Sequence, residues 1–110
     1  METYYDPKDL AHFGDIGHHR KDLFDAFMKW YEASLKDGAL TRREKALIGL
    51  GVAHAVQCPY CIDSFSQQCL EAGSNMEQMT EAIHMAAALR GGAALVHGIQ
   101  ARNAADKISM

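Results

Sequence analysis

The sequence predicts an all-α fold, and three observations carry that reading. No run alternates apolar and polar residues as a half-buried strand would, and no Asn-Gly hairpin turn occurs. Apolar residues recur instead at helical spacing in several separate segments. Helix-start chemistry precedes those segments, in Asp-Pro, Thr-x-x-Glu and Ser-x-x-Glu patterns. About five to six helices in one domain over residues 1–110 account for the chain.

The elements follow in order. Asp6 is a natural N-cap with Pro7 at the first helical position, so a short helix is expected there, ending by Gly14 or Gly17. From Arg20 to Lys36, the residues Leu23, Phe24, Phe27, Met28, Trp30, Tyr31 and Leu35 form a wide apolar stripe. Thr41 and Glu44 have capping-box spacing and predict a helix from Arg42 to about Val56. Pro59 disfavours helix at Cys58, so a break is expected at Gln57–Cys58 and a new helix from Pro59 to about Ala72. Gly73 suits the position just past its end. Ser74 and Glu77 form a second capping-box pattern, opening a helix that reaches about Arg90. Gly91-Gly92 predicts a break or kink, and "AALVHGIQARNAADKI" a last helix. Gly49 and Gly51, inside a predicted helix where glycine costs about 1 kcal/mol, suggest close approach of a neighbouring helix.

Composition narrows the function. With 110 residues, a formal net charge of −3 and 48% hydrophobic residues, the chain is ordinary for a globular protein. No basic excess points to nucleic acid. The N-terminal "METYYDPKDL" lacks the charged and apolar regions of a signal peptide, and "KALIGLGVAHAVQC" is too short to span a bilayer. A cytoplasmic location is expected, with neither membrane nor nucleic acid as partner. Thiols are kept reduced in that compartment, so a CxxC pair there reads as catalytic or metal-binding.

That pair is Cys58 and Cys61, in "AVQCPYCIDSF". A helix starting at Pro59 would set its unpaired N–H groups and positive dipole end against the sulfurs, favouring thiolate, the nucleophilic form. A redox dithiol is the favoured reading. Structural zinc takes four ligands. His54 could be a third, but no fourth is evident, and Cys69 lies about 12 Å from Cys61 by helix rise. Two inert buried thiols are the remaining alternative. Cys69 itself reads as a small core residue. No metal and no cofactor is required.

"REKALIGLGVAHAVQCPYCIDSF", with "AAALRGGAALVHG" further on, resembles the signature region of the carboxymuconolactone decarboxylase superfamily in its AhpD-like alkylhydroperoxidase branch. The likeness runs from about Thr41 to Gly98. "TYYDP" and "AVQCPYCID" are also similar to a subgroup known as arsenosugar biosynthesis-associated peroxidase-like proteins. The resemblance implies an all-α fold, assembly into trimers or hexamers, and a peroxidase that cycles a disulfide with peroxide as substrate and an external dithiol as reductant. It assigns Cys61 as the attacking cysteine and Cys58 as the resolving one. The residues alone leave that order open. The branch also places a glutamate twelve positions before the first cysteine, a histidine just before the second, and another four after it. Here those places hold Ala46, Tyr60 and Phe65, so the usual proton relay is missing.

Other residues are candidates to stand in. His54, one turn before Cys58, is a possible general base, or a histidine complementing a helix C-terminus. Glu44 is a possible supporting carboxylate, but reads better as the capping partner of Thr41. Tyr60 is positioned to donate to a thiolate or to pack at the pocket rim. Asp63, in the first turn, aids the helix but would raise a thiol's pKa. His84 and His97 read as core or interface residues, and His12, His18 and His19 as solvated in a loop. Two functional alternatives stand beside the peroxidase: a decarboxylase or lactone-processing enzyme on the same fold, and a non-catalytic oligomeric binding module.

Overall fold

The computed structural model describes residues 4–109. Among them there is no strand: a 3-10 helix, Pro7–His18, leads into α1 (Lys21–Leu35), α2 (Arg42–Ala55), α3 (Pro59–Glu71), α4 (Met76–Val96) and α5 (Gly98–Ser109). α2 is the central element, packed on α3 and on α4. The core is Ala46, Leu50, Phe65, Cys69 and Met79, with Tyr31, Leu35, Leu47, Cys61 and Ile83 against it. The 3-10 helix runs past Gly14 and Gly17 to His18, longer than expected, and lies on α1. His12 and His18 flank Asp15 on its exposed surface at 3.5 and 3.7 Å, on helix rather than in a loop.

Local chemistry explains the boundaries. Thr41 Oγ1 accepts from the Glu44 N–H at 3.1 Å, and Glu44 Oε1 accepts from the Thr41 N–H at 2.9 Å. This reciprocal box starts α2 and occupies the Glu44 carboxylate. The second box is shifted by one residue from the sequence expectation. Asn75 and Gln78 form it, at 2.9 and 3.0 Å, not Ser74 and Glu77. The reason is the end of α3. Gly73 has φ +91°, its N–H donates to Leu70 O, and the Ser74 N–H donates back to Cys69 O. That pairing is a Schellman motif, and it holds Ser74 in the preceding helix's cap. Ser74 is consequently buried, and Asn75 is the first residue able to cap α4.

α4 also corrects the expectation at Gly91-Gly92: the helix passes through both without a break and ends at Val96. Strong helix formers surround the glycines, including Ala86, Ala87, Ala88, Leu89 and Arg90, and outweigh a local cost of about 1 kcal/mol each. Gly49 and Gly51 do mark close approaches. A Cβ at 49 would overlap the Phe65 ring of α3, and one at 51 would lie 3.2 Å from the Ala82 carbonyl oxygen of α4.

Candidate active site

The α2–α3 junction builds the site. Gln57 has φ +57°, the left-handed conformation usually left to glycine. Its N–H donates to His54 O at 3.2 Å, and the Cys58 N–H donates to Ala53 O at 3.0 Å. This is a second Schellman motif, and its last residue is Cys58. Cys58 then serves as N-cap of α3, with Pro59 in the first helical turn. The closing cap of one helix and the opening cap of the next share one cysteine. Arg90, reaching from α4, donates to Ala55 O and satisfies another carbonyl at the end of α2.

Cys58 and Cys61 are joined as a disulfide, with Cα atoms 5.2 Å apart. The Cys61 N–H points at Cys58 Sγ, 3.2 Å away. An N–H at a helix start directed at sulfur favours negative charge there when the bond opens. Both cysteines are half-buried, and Cys61 packs against the core. Cys69 is fully buried, and burial pushes its thiol pKa up. It is a core residue, as its sequence position suggests. Among the described residues, no group of three or more His, Cys, Asp or Glu could hold a metal ion.

His54 is part-buried, and its Nδ1 lies 2.9 Å from Leu50 O. A carbonyl can only accept, so Nδ1 carries a proton, which leaves Nε2 as the acceptor nitrogen of the neutral ring. Glu44 lies at the opposite end of α2, about 15 Å from His54 along the axis. Its carboxyl is held below the usual range by the Thr41 backbone and side-chain hydrogen bonds. The structure therefore does not bring Glu44 to the cysteines. Ala46 and Phe65, at relay positions of the resembling branch, are both buried in the same core cluster. Apolar packing fills the place of the relay, and Gly49 leaves room for the Phe65 ring.

Tyr60 and Asp63 have partners that the sequence did not disclose. The Tyr5 hydroxyl donates to Asp63 Oδ2 at 2.8 Å, and its ring meets Tyr60 edge-on at 4.9 Å. The Tyr60 hydroxyl points at Asp9 Oδ2, 3.4 Å away. The hydrogen bond to Asp63 raises the Tyr5 pKa, while burial and then the Asp9 charge raise that of Tyr60. Both phenols are proton donors at neutral pH. His84 and His97 are exposed on the single chain rather than in its core.

A further feature is an apolar groove of about 520 Å³ between α2 and α4. Ile48, Val52, Met85 and Leu89 line it, with Arg90 near one end. No helix among the described residues is long and apolar enough to cross a membrane.

An all-α chain with a CxxC disulfide capping an internal helix defines a narrow class, and comparison with known proteins names it. The carboxymuconolactone decarboxylase family profile matches residues 21–104, and the chain belongs to that family. A relative in Paracoccus denitrificans, described as uncharacterized protein 4 in the cox locus, is 38% identical over 102 residues, covering 93% of this chain and 92% of its own. A crystal structure from Methanobacterium thermoautotrophicum superposes with a TM-score of 0.71 at 32% identity, over 74% of this chain and 92% of that one. The apo structure of a carboxymuconolactone decarboxylase family protein from Legionella pneumophila has a TM-score of 0.66 at 28% identity, over 94% and 99% of the two chains.

Proposed function

We propose that the chain is a thiol–disulfide peroxidase of the alkylhydroperoxidase type that cycles Cys58 and Cys61. One observation supports this most: the two sulfurs are bonded at the cap of α3, with the Cys61 N–H directed at Cys58 Sγ. In the cycle, His54 Nε2 takes the Cys61 thiol proton. The thiolate attacks a peroxide oxygen. The S–O bond forms, the O–O bond breaks, and the alcohol or water leaves with a proton. The resulting sulfenic acid is attacked by Cys58, which forms the disulfide and expels water. An external dithiol then reduces the pair by exchange and is itself oxidised to a disulfide. The helix-start N–H that favours thiolate at Cys58 suits its role as resolving nucleophile and as leaving group in reduction.

The test is peroxide consumption with a dithiol reductant. Cys61→Ser and Cys58→Ser should each abolish turnover, and Cys58→Ser should accumulate a sulfenic acid on Cys61 that a dimedone-type reagent traps. Wild-type turnover in both variants would sink the proposal. Carbon dioxide release from a 4-carboxy lactone, unchanged by loss of both thiols, would favour the decarboxylase instead.

The same reading includes a homo-oligomer, trimer or hexamer. The radius of gyration is 18.8 Å, against about 13 Å for a compact chain of this size. α1 and α5 have no buried residue. The groove between α2 and α4 is the surface best suited to a second copy.

A further inference from the structure

We propose that Tyr5 is a positioning residue for the Cys58–Cys61 pair, docking the N-terminal segment on the first turn of α3 and favouring disulfide over dithiol. The docking is specific in its chemistry. The Tyr5 hydroxyl donates a hydrogen bond to Asp63 Oδ2, the Tyr5 ring packs edge-on against Tyr60, and Tyr60 in turn points its hydroxyl at Asp9. Asp6 holds the following turn by accepting from the Lys8 N–H at 2.9 Å, so Tyr5 and Asp9 are presented together.

The position of Tyr60 couples this contact to the redox state. Tyr60 lies inside the covalent ring that the disulfide closes, and Asp63 lies in the turn that follows. Tyr60 and Asp63 lie three apart on α3, and with the ring closed Cys58 is tied to Cys61, which steadies the first turn of the helix that Tyr5 spans. Opening the ring frees Pro59–Tyr60 from that constraint, and the two-point contact weakens. Coupling of this kind is reciprocal: the factor by which the disulfide tightens docking is the factor by which docking stabilises the disulfide. The inference rests on the thiol–disulfide reading of the pair, but needs no peroxide chemistry.

The test measures the midpoint potential of the full-length protein in glutathione buffers, with free thiols counted by alkylation and mass. Tyr5→Phe keeps the ring and removes the hydroxyl that donates to Asp63. We expect the disulfide to be about fivefold less favoured in Tyr5→Phe, a shift of about 20 mV toward more oxidising potential. The urea midpoint of the reduced protein should move less than that of the oxidised protein. A potential identical to wild type in Tyr5→Phe overturns this proposal alone. So does equal destabilisation of the oxidised and reduced forms, which marks a merely structural contact. A wild-type pair that stays dithiol at every potential overturns the peroxidase reading as well.

Discussion

Gln57 is the residue on which the site geometry turns. Its left-handed backbone closes α2 and delivers Cys58 to the start of α3. Glycine would occupy that conformation without a Cβ penalty, and such strain tends to persist at functional places. Gln57→Gly should therefore raise stability by roughly 0.5 to 1 kcal/mol in urea unfolding. It should also loosen the aim of Cys58, so peroxide turnover falls while stability rises. A variant improved in both would show that the strain serves no purpose. Gly49 and Phe65 form a second pair that must change together. Gly49→Ala drives a methyl into the Phe65 ring, and should cost about 1 to 3 kcal/mol. Pairing it with Phe65→Leu should recover part of that loss. The cysteines were legible in the sequence because their chemistry is local: two thiols, a proline and a helix start within four positions. Tyr5 and its link to Asp63 were not, because the partners are 58 positions apart and neither residue type announces the other.

Helices and their caps were legible where side chain and backbone are neighbours, and shifted where two helix ends compete for the same residues. Thr41 and Glu44 formed the expected box because nothing else claims them. Ser74 was claimed by the end of α3. That left Asn75 and Gln78 to start α4, a pairing that only the Schellman turn at Gly73 decides. The Glu44 box also makes a pH prediction. Its carboxyl pKa is lowered by the Thr41 hydrogen bonds. Its contribution to stability is thus fully present above the ordinary glutamate value of about 4.3 and is lost as pH falls through the lower folded value. Glu44→Gln keeps an acceptor for the Thr41 N–H but does not titrate. The urea midpoint of wild type relative to Glu44→Gln should fall between pH 6 and pH 3. A constant difference across that range would show that the carboxylate contributes no more than an amide does. Catalysis near neutral pH should be unaffected by this substitution, since the cap lies at the end of α2 remote from His54.

At the scale of the molecule, one chain leaves much apolar surface open, and the proposed homo-oligomer would cover it. Trp30 is 68% exposed, Leu89 69% and Leu95 81%, and exposed apolar area of this extent marks an interaction surface. The stripe from Leu23 to Leu35 contributes to that surface, with Leu23, Phe27 and Trp30 all exposed. α1, which carries the stripe, has no buried residue of its own. The groove between α2 and α4 has the same character, with Ile48 and Val52 each 53% exposed and Met85 60%. Its floor is the close approach of Gly51 to Ala82, and it ends beside Arg90, the residue that caps α2 ahead of the cysteines. A second copy seated there would press on the same junction that presents Cys58, so assembly and the redox site should be linked. Sedimentation velocity should therefore give a multiple of the 12.1 kDa chain mass. Leu89→Glu, which places a charge in the groove where the single chain already exposes the side chain, should shift the protein toward monomer while circular dichroism keeps its helical signal. The monomeric form should lose peroxide turnover by about tenfold or more. A wild-type protein that sediments as a monomer at tens of micromolar would mean that the open faces serve some other partner. An oligomer unaffected by Leu89→Glu would place the interface on α1 or α5 instead.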